Sequence, residues 1–276
     1  MKKSLFLFSF LLVIAFVLAG CGGTKEDNNA GNEENNNKEQ TGSLFNEIKK
    51  NGVIKVGTEG TYAPYTFHNE KDQLTGYDVE VIKEVAKRMD LEVEFMETQW
   101  DSMFAGLNSK RFDLIANQVG INEDRLANYD FSDPYTFSSA VLVVSKDNSD
   151  ITSFEDLKGR KAAQSLTSNY GAIAQENGAE IVGVEGLAQS IELIKQGRAE
   201  ATVNDKLAVL DYIKSQGDES IKIAASSDDV SEMAFTFNKG NEDLVKAVNE
   251  QLAAMRDDGT LAKISQEWFG EDVSTK

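Results

Sequence analysis

The segment ANQVGINEDRLANYDFSDPY, residues 116–135, holds a single arginine, Arg125, in a chain of 276 residues with 46 acidic and 28 basic side chains. A guanidinium is a planar fork of donors that fits a carboxylate through two parallel hydrogen bonds. Two readings of Arg125 are open from its neighbours: a surface helix arginine paired with Glu123 or Asp124, or a cation kept for an anion that is not part of the chain. Other reactive chemistry is scarce. His68 is the only histidine and Cys21 the only cysteine, and His68 falls in Phe67-His68-Asn69-Glu70-Lys71, where a solvated turn between strands is expected. Without these two residues no Ser-His-Asp or Cys-His constellation can be assembled. The sequence shows no metal-ligand cluster, no glycine-rich phosphate loop and no nucleophile elbow. A formal net charge of -18 argues against nucleic acid, which is held by clustered Lys and Arg. The composition therefore suits binding of a small molecule and implies no cofactor and no metal.

The N-terminus reads MKKSLFLFSFLLVIAFVLAGC. Two lysines, an apolar run from Leu5 to Ala19 and small residues before Cys21 have the form of a secretory signal, residues 1–20. The apolar run is shorter than the roughly 20 residues that cross a bilayer. Leu18-Ala19-Gly20-Cys21 resembles the lipobox of bacterial lipoproteins, in which the cysteine is diacylated and becomes the new N-terminus. That resemblance implies that Cys21 is a lipid anchor on the extracytoplasmic face of the cell membrane, with no thiol left for other work. From Gly22 to Ser43 there is no large apolar residue, so residues 21–43 cannot bury enough surface to offset their ordering entropy and read as a disordered tether. The folded part is expected from Leu44.

The elements that would position Arg125 are legible as periodicities. Residues 53–57 read as a strand, 77–90 as a helix with Val79, Val81, Ile82, Val85, Ala86 and Met89 at helical spacing, 91–96 as a strand, 100–108 as a short helix and 112–116 as an apolar strand. The pattern then recurs as strand 161–164, helix 168–177, strand 180–184, helix 187–196 and strand 199–203. The third strands of the two sets share R-x-[DE]-x-x-x-N, with Arg111, Asp113 and Asn117 in one and Arg198, Glu200 and Asn204 in the other. Asn117 and Asn204 are then expected at the ends of equivalent strands. Alternation of this kind specifies α/β lobes. Open α/β sheets bind ligands beyond the carboxyl ends of their strands, so both strand ends should line one cleft. A strand at 232–237 and an amphipathic helix at 241–258 follow. The expected organisation is lobe I from residues 44–139 plus 231–276 and lobe II from residues 140–230, joined by crossings near 134–141 and 226–234. Two crossings make a hinge.

Gly57-Thr58-Glu59-Gly60-Thr61-Tyr62-Ala63-Pro64-Tyr65, Leu74-Thr75-Gly76-Tyr77-Asp78, residues 100–106, Asp130-Phe131-Ser132-Asp133-Pro134-Tyr135 and residues 154–159 together resemble the extracellular solute-binding proteins of ABC-type amino acid importers (family 3). The resemblance spans the whole folded region and implies a two-lobed periplasmic-binding-protein-like (type II) fold, a monomer, and an ABC permease as partner. It also implies roles. The arginine five residues before DFSDPY, Arg125, would grip the α-carboxylate of an amino acid, and Asp205 would hold the α-ammonium. Asp205 also sits where it can cap a helix. Tyr62 and Trp100 would contact the ligand side chain, Glu59 would be an acidic contact, and Thr167 and Ser168 would form an anion loop at a helix N-terminus. The chain departs from the common pattern in having Asn117, Gln118, Val119 and Gly120 before the arginine loop and Leu166 where glycine is usual. Within the family, ETQWDSMFAGL, ANQVGIN and AAQSLTSNY are most similar to the cystine-binding subgroup, which implies L-cystine as ligand. Two rivals share parts of these features. A prephenate or arogenate (cyclohexadienyl) dehydratase uses the same fold but needs a positioned general acid, a part open to Glu59, and does not suit a lipobox and tether. A receptor sensor domain would continue into a membrane helix after Lys276.

Overall fold

The computed structural model describes residues 43–276. The signal segment, Cys21 and nearly all of the tether lie outside the described residues.

A short helix α1 (Leu44–Asn51), capped by Ser43, leads into β1 (Val53–Thr58). A small antiparallel sheet of β2 (Thr61–Tyr62), β3 (Thr66–His68) and β4 (Leu74–Thr75) follows. Next come α2 (Tyr77–Arg88), β5 (Glu92–Glu97), α3 (Trp100–Asn108), β6 (Leu114–Gly120), α4 (Glu123–Asn128) and β7 (Tyr129–Phe131). The long β8 (Thr136–Ser145) carries the chain to β9 (Lys161–Gln164), α5 (Asn169–Glu176), β10 (Glu180–Gly183), α6 (Leu187–Lys195), β11 (Ala201–Asp205) and α7 (Lys206–Gln216). The still longer β12 (Ile221–Asn238) returns it to α8 (Glu242–Asp257) and α9 (Thr260–Phe269). The helix expected at 77–90 ends two residues early, with Met89 as its C-cap.

The principal sheet runs β10-β9-β11-β8-β12-β6-β1-β5, with β7 also on β12. Its two flanks are parallel, β1 with β5 and β6 on one side and β9 with β10 and β11 on the other. Only β8 and β12 belong to both sides. They pair antiparallel to each other, residues 221–226 of β12 against 141–145 of β8 and 230–233 against 136–139, with a register break between Ser226 and Val230. These are the two crossings that the sequence places near 134–141 and 226–234.

The short repeat corresponds to a repeated structure. Asp113 N–H donates to the Lys55 carbonyl, and a carboxylate oxygen of Asp113 accepts the Lys55 N–H at 2.8 Å. Glu200 N–H donates to the Lys161 carbonyl, and its carboxylate accepts the Lys161 N–H at 3.2 Å. Arg111 and Arg198 likewise donate their N–H groups to Gly106 and Leu193 at the ends of α3 and α6. One correction concerns the strand ends. β6 continues to Gly120, so Asn117 lies within the strand and not at its end, and the chain bends at Gln118, whose φ is 50°.

His68 is also placed differently from the expected turn. It ends β3, where its exposed ring meets Glu97 at 3.0 Å and Asp72 at 3.1 Å. The Glu97 contact raises its pKa.

The N-terminus of α2 depends on Gly76. Its φ of 128° and ψ of 170° lie in a region that only glycine occupies readily. There the carbonyls of Pro64 and Tyr65 accept the N–H groups of Tyr77 and Asp78, which no side chain caps. A Cβ on Gly76 would come within 2.2 Å of the Tyr65 carbonyl oxygen. Gly76→Ala should therefore destabilise the protein by about 2 to 3 kcal/mol, read as a lower urea midpoint at unchanged slope. An unchanged midpoint would contradict this placement of the loop.

Candidate functional site

The cleft lies where the two parallel flanks present their strand ends to each other. Its cavity, about 490 Å³ of empty space partly continuous with solvent, is lined by Glu59, Tyr62, Trp100, Asn117 and Gln118 from one flank. The other flank contributes Gln164, Ser165, Ser168, Tyr170, Leu187 and Asn204, among others.

Asn117 organises the first wall. Its Oδ1 accepts the Glu59 N–H at 2.8 Å and the Thr58 hydroxyl at 3.3 Å, and its Nδ2 donates to a Glu59 carboxylate oxygen at 2.5 Å. Burial pushes the Glu59 carboxyl up to about 7, against the opposing pull of the Asn117 and Trp100 hydrogen bonds. Behind it, Asp78 is fully buried and accepts both the backbone N–H of Gln118, at 2.7 Å, and its side-chain Nε2, at 2.6 Å. Those two bonds hold Gln118 in its left-handed conformation, and its Oε1 is buried without a partner among the described residues. Desolvation raises the Asp78 carboxyl to about 7 as well. The indole N–H of Trp100 is also buried without a partner.

Arg125 is delivered by α4, whose N-cap Asn122 accepts the Arg125 N–H at 2.9 Å. The side chain is 8% exposed. One terminal nitrogen donates to the Gly120 carbonyl at 2.9 Å and the other to the Thr167 carbonyl at 3.4 Å. The guanidinium carbon stands 5.4 Å from the ring centre of Trp100 and 5.3 Å from that of Phe104. Among the described residues no carboxylate lies within ion-pair distance of it. The structure thus rejects the reading in which Arg125 pairs with Glu123 or Asp124. Desolvation lowers its pKa to about 10, which leaves it charged at neutral pH.

Asp205 is fully committed. It caps α7 by accepting the N–H groups of Leu207 and Ala208, and accepts the hydroxyls of Tyr65 at 2.6 Å and Tyr170 at 3.2 Å. It lies behind the cavity and not on its surface, whereas its neighbour Asn204 lines it and accepts the Tyr62 hydroxyl at 2.8 Å. Thr167 gives its N–H and hydroxyl to Asp101 of α3, at 3.0 and 2.8 Å, so the carboxylate that this loop meets here is a protein one. Ser168 caps α5. Of the residues singled out in the sequence, Glu59, Tyr62, Trp100, Asn117, Gln118 and Ser168 line the cavity, Arg125 and Thr167 line an adjoining groove with Phe104, and Gly120 lies at a third surface. Gln164, Tyr170, Leu187 and Ser190 were not anticipated. The repeat held a signal for Gln164, which stands at the same offset from Lys161 as Thr58 does from Lys55. Among the described residues no group of three or more His, Cys, Asp and Glu could hold a metal ion.

Residues 54–271 match the bacterial extracellular solute-binding proteins, family 3. The chain belongs to this family. It is 55% identical over 275 residues to the L-cystine-binding protein TcyA of Bacillus subtilis, covering 99% of this chain and all of that one. Among solved structures, the L-cystine solute receptor of Neisseria gonorrhoeae, in its unliganded open conformation, shares 49% identity over 86% of this chain and all of its own, with a TM-score of 0.57. An ancestral arginine-binding protein bound to arginine shares 33% over 79% of this chain and 99% of its own, with a TM-score of 0.75. The lower score at the higher identity fits a different angle between lobes. Here the cleft is closed by the Tyr62, Tyr65 and Asp101 hydrogen bonds across it.

The raised Glu59 carboxyl sets a pH dependence. Between about pH 4.5 and 7 the folded state holds a proton there that the unfolded state releases, so stability falls as pH rises through that window. Asp78 acts in the same sense. Glu59→Gln should flatten part of this decline, so that thermal unfolding of the ligand-free variant between pH 4 and 8 varies less than that of the wild type. Parallel curves would show that Glu59 is not the buried acid described.

Proposed function

We propose that this chain is the extracytoplasmic receptor of an ABC-type importer for L-cystine, held to the cell membrane by diacylated Cys21 and a tether of residues 21–43. The observation that carries the reading is Arg125: a buried guanidinium with no carboxylate partner among the described residues, beside a cleft lined by residues whose buried polar atoms also lack partners there. A buried charge left unpaired costs free energy that a ligand carboxylate recovers. The resemblance to cystine-binding proteins directs the choice of ligand, and the polar wall of Glu59, Asn117, Gln118 and Asn204 supports it, since cystine carries two zwitterionic heads and a purely apolar pocket would strand the second. Asp205 is the proposed partner of the α-ammonium, which takes the place on Oδ2 that the Tyr170 hydroxyl holds at 3.2 Å in this structure, with Tyr62 and Trp100 against the sulfurs, and Gly120, Thr167 and Ser168 beside the Arg125 fork. Binding turns lobe II (residues 140–230) against lobe I (44–139 plus 231–276) about β8 and β12, and the closed monomer presents its ligand to a permease. The family is one of binding proteins, and binding with no turnover is the proposed activity.

Calorimetry tests the ligand directly. L-Cystine should bind more tightly than cysteine, arginine, glutamine or histidine, and Arg125→Ala should cost about 2 to 4 kcal/mol of that affinity while leaving the melting temperature of the ligand-free protein nearly unchanged. Tighter binding of a single-headed amino acid would overturn cystine, and full affinity in the variant would remove Arg125 from the site. For the anchor, Cys21→Ala should abolish lipid labelling and release the protein from membranes. Unlabelled wild type in the medium would overturn it.

A further inference from the structure

The second wall of the cleft holds a feature that the roles assigned above leave unused. Three helices, α5, α6 and α7, follow the strand ends on this side. Ser168 caps α5 through the Gly171 N–H, and Asp205 caps α7 through two N–H groups. The N-cap of α6 is Gly186, which has no side chain to offer. Residues 187–195 form a full helix of nine residues, so its first-turn N–H groups and the positive end of its dipole have no capping partner from the protein. Gly186, Leu187 and Ser190 of this turn all line the cavity. The Ser190 hydroxyl donates back to the Gly186 carbonyl at 3.1 Å and does not satisfy the turn's donors.

Gln164 stands beside this turn. It ends β9, is 2% exposed, lines the same cavity, and its Nε2 is buried with no acceptor. An amide NH₂ left unpaired in a buried wall is a cost that folding alone would remove. The uncapped helix turn and the orphaned amide are both donors, and they belong to residues that line one cavity. Glu59 and Asn204 on the surrounding wall supply acceptor oxygens.

We propose that the N-terminal turn of α6 and the Gln164 amide form a carboxylate subsite for the second head of a two-headed amino acid, separate from the Arg125 position. The inference rests on the cystine reading and names the groups that distinguish a two-headed ligand from a single-headed one. The second carboxylate accepts from Nε2 of Gln164 and from the free N–H groups of the α6 turn, and the second ammonium turns toward Glu59. A helix N-terminus favours an anion by its dipole and its aligned donors together.

A ligand that lacks only one carboxylate tests this without altering the protein. The mixed disulfide of L-cysteine and cysteamine keeps the disulfide and both ammonium groups. Calorimetry should show wild type binding L-cystine at least about tenfold more tightly than this disulfide. Gln164→Met, close in volume and lacking the donor, should lose about tenfold toward cystine and stay within about twofold for the mixed disulfide. Gln164→Glu keeps the shape but adds a negative charge, and should lose more toward cystine at neutral pH. Equal affinities of wild type for the two disulfides overturn the subsite, as does an equal loss on both ligands in the Gln164 variants. Wild type that binds neither disulfide overturns the cystine reading itself, which separates the two failures.

Discussion

A guanidinium removed from water with only two carbonyl oxygens and two aromatic faces for company is the constraint around which this cleft is organised. Carbonyls and ring faces compensate a cation in part, and full compensation takes an anion of matching geometry. The protein keeps its own carboxylates away from Arg125. Asp101 is turned to the loop at Thr167, Asp205 to α7 and two tyrosines, and Asp78 to Gln118. These three acids have their partners elsewhere, and among the described residues none quenches the positive site from within.

The same arrangement explains why the walls meet as they do. Asn117 fixes Glu59, and Asp78 fixes Gln118 in a backbone conformation that few non-glycine residues adopt. The hydrogen bonds from Tyr62 to Asn204 and from Asp101 to Thr167 join groups on opposite sides of a cleft whose only continuous covalent links are β8 and β12. Such bonds favour a closed form in proportion to how much of them is absent when the cleft opens.

Much of the scaffold was legible because each half repeats a strand, helix, strand, helix, strand rhythm with clear apolar periodicity. α3 and β9 fall on the residues that the periodicity indicates, and Asp113 and Glu200 make equivalent bonds, as their shared motif implies. The sheet of β2, β3 and β4 was not legible, since strands of two or three residues carry no period. β12 was seen only in its apolar half, because Ser226, Ser227, Asp228 and Asp229 interrupt alternation at the register break. In the cleft, lobe I residues were found through local motifs around one loop. The opposite wall is assembled from Gln164, Tyr170, Leu187 and Asn204, ordinary residue types brought together only by the sheet order.

Whether Arg125 is reserved for a ligand carboxylate can be read from a crystal structure of the protein with L-cystine. One carboxylate should bridge both terminal nitrogens of Arg125 at about 2.8 Å each, with the Thr167 carbonyl bond given up or lengthened. A ligand bound in the cleft with its carboxylates elsewhere, and Arg125 still directed only at Gly120 and Thr167, would contradict it.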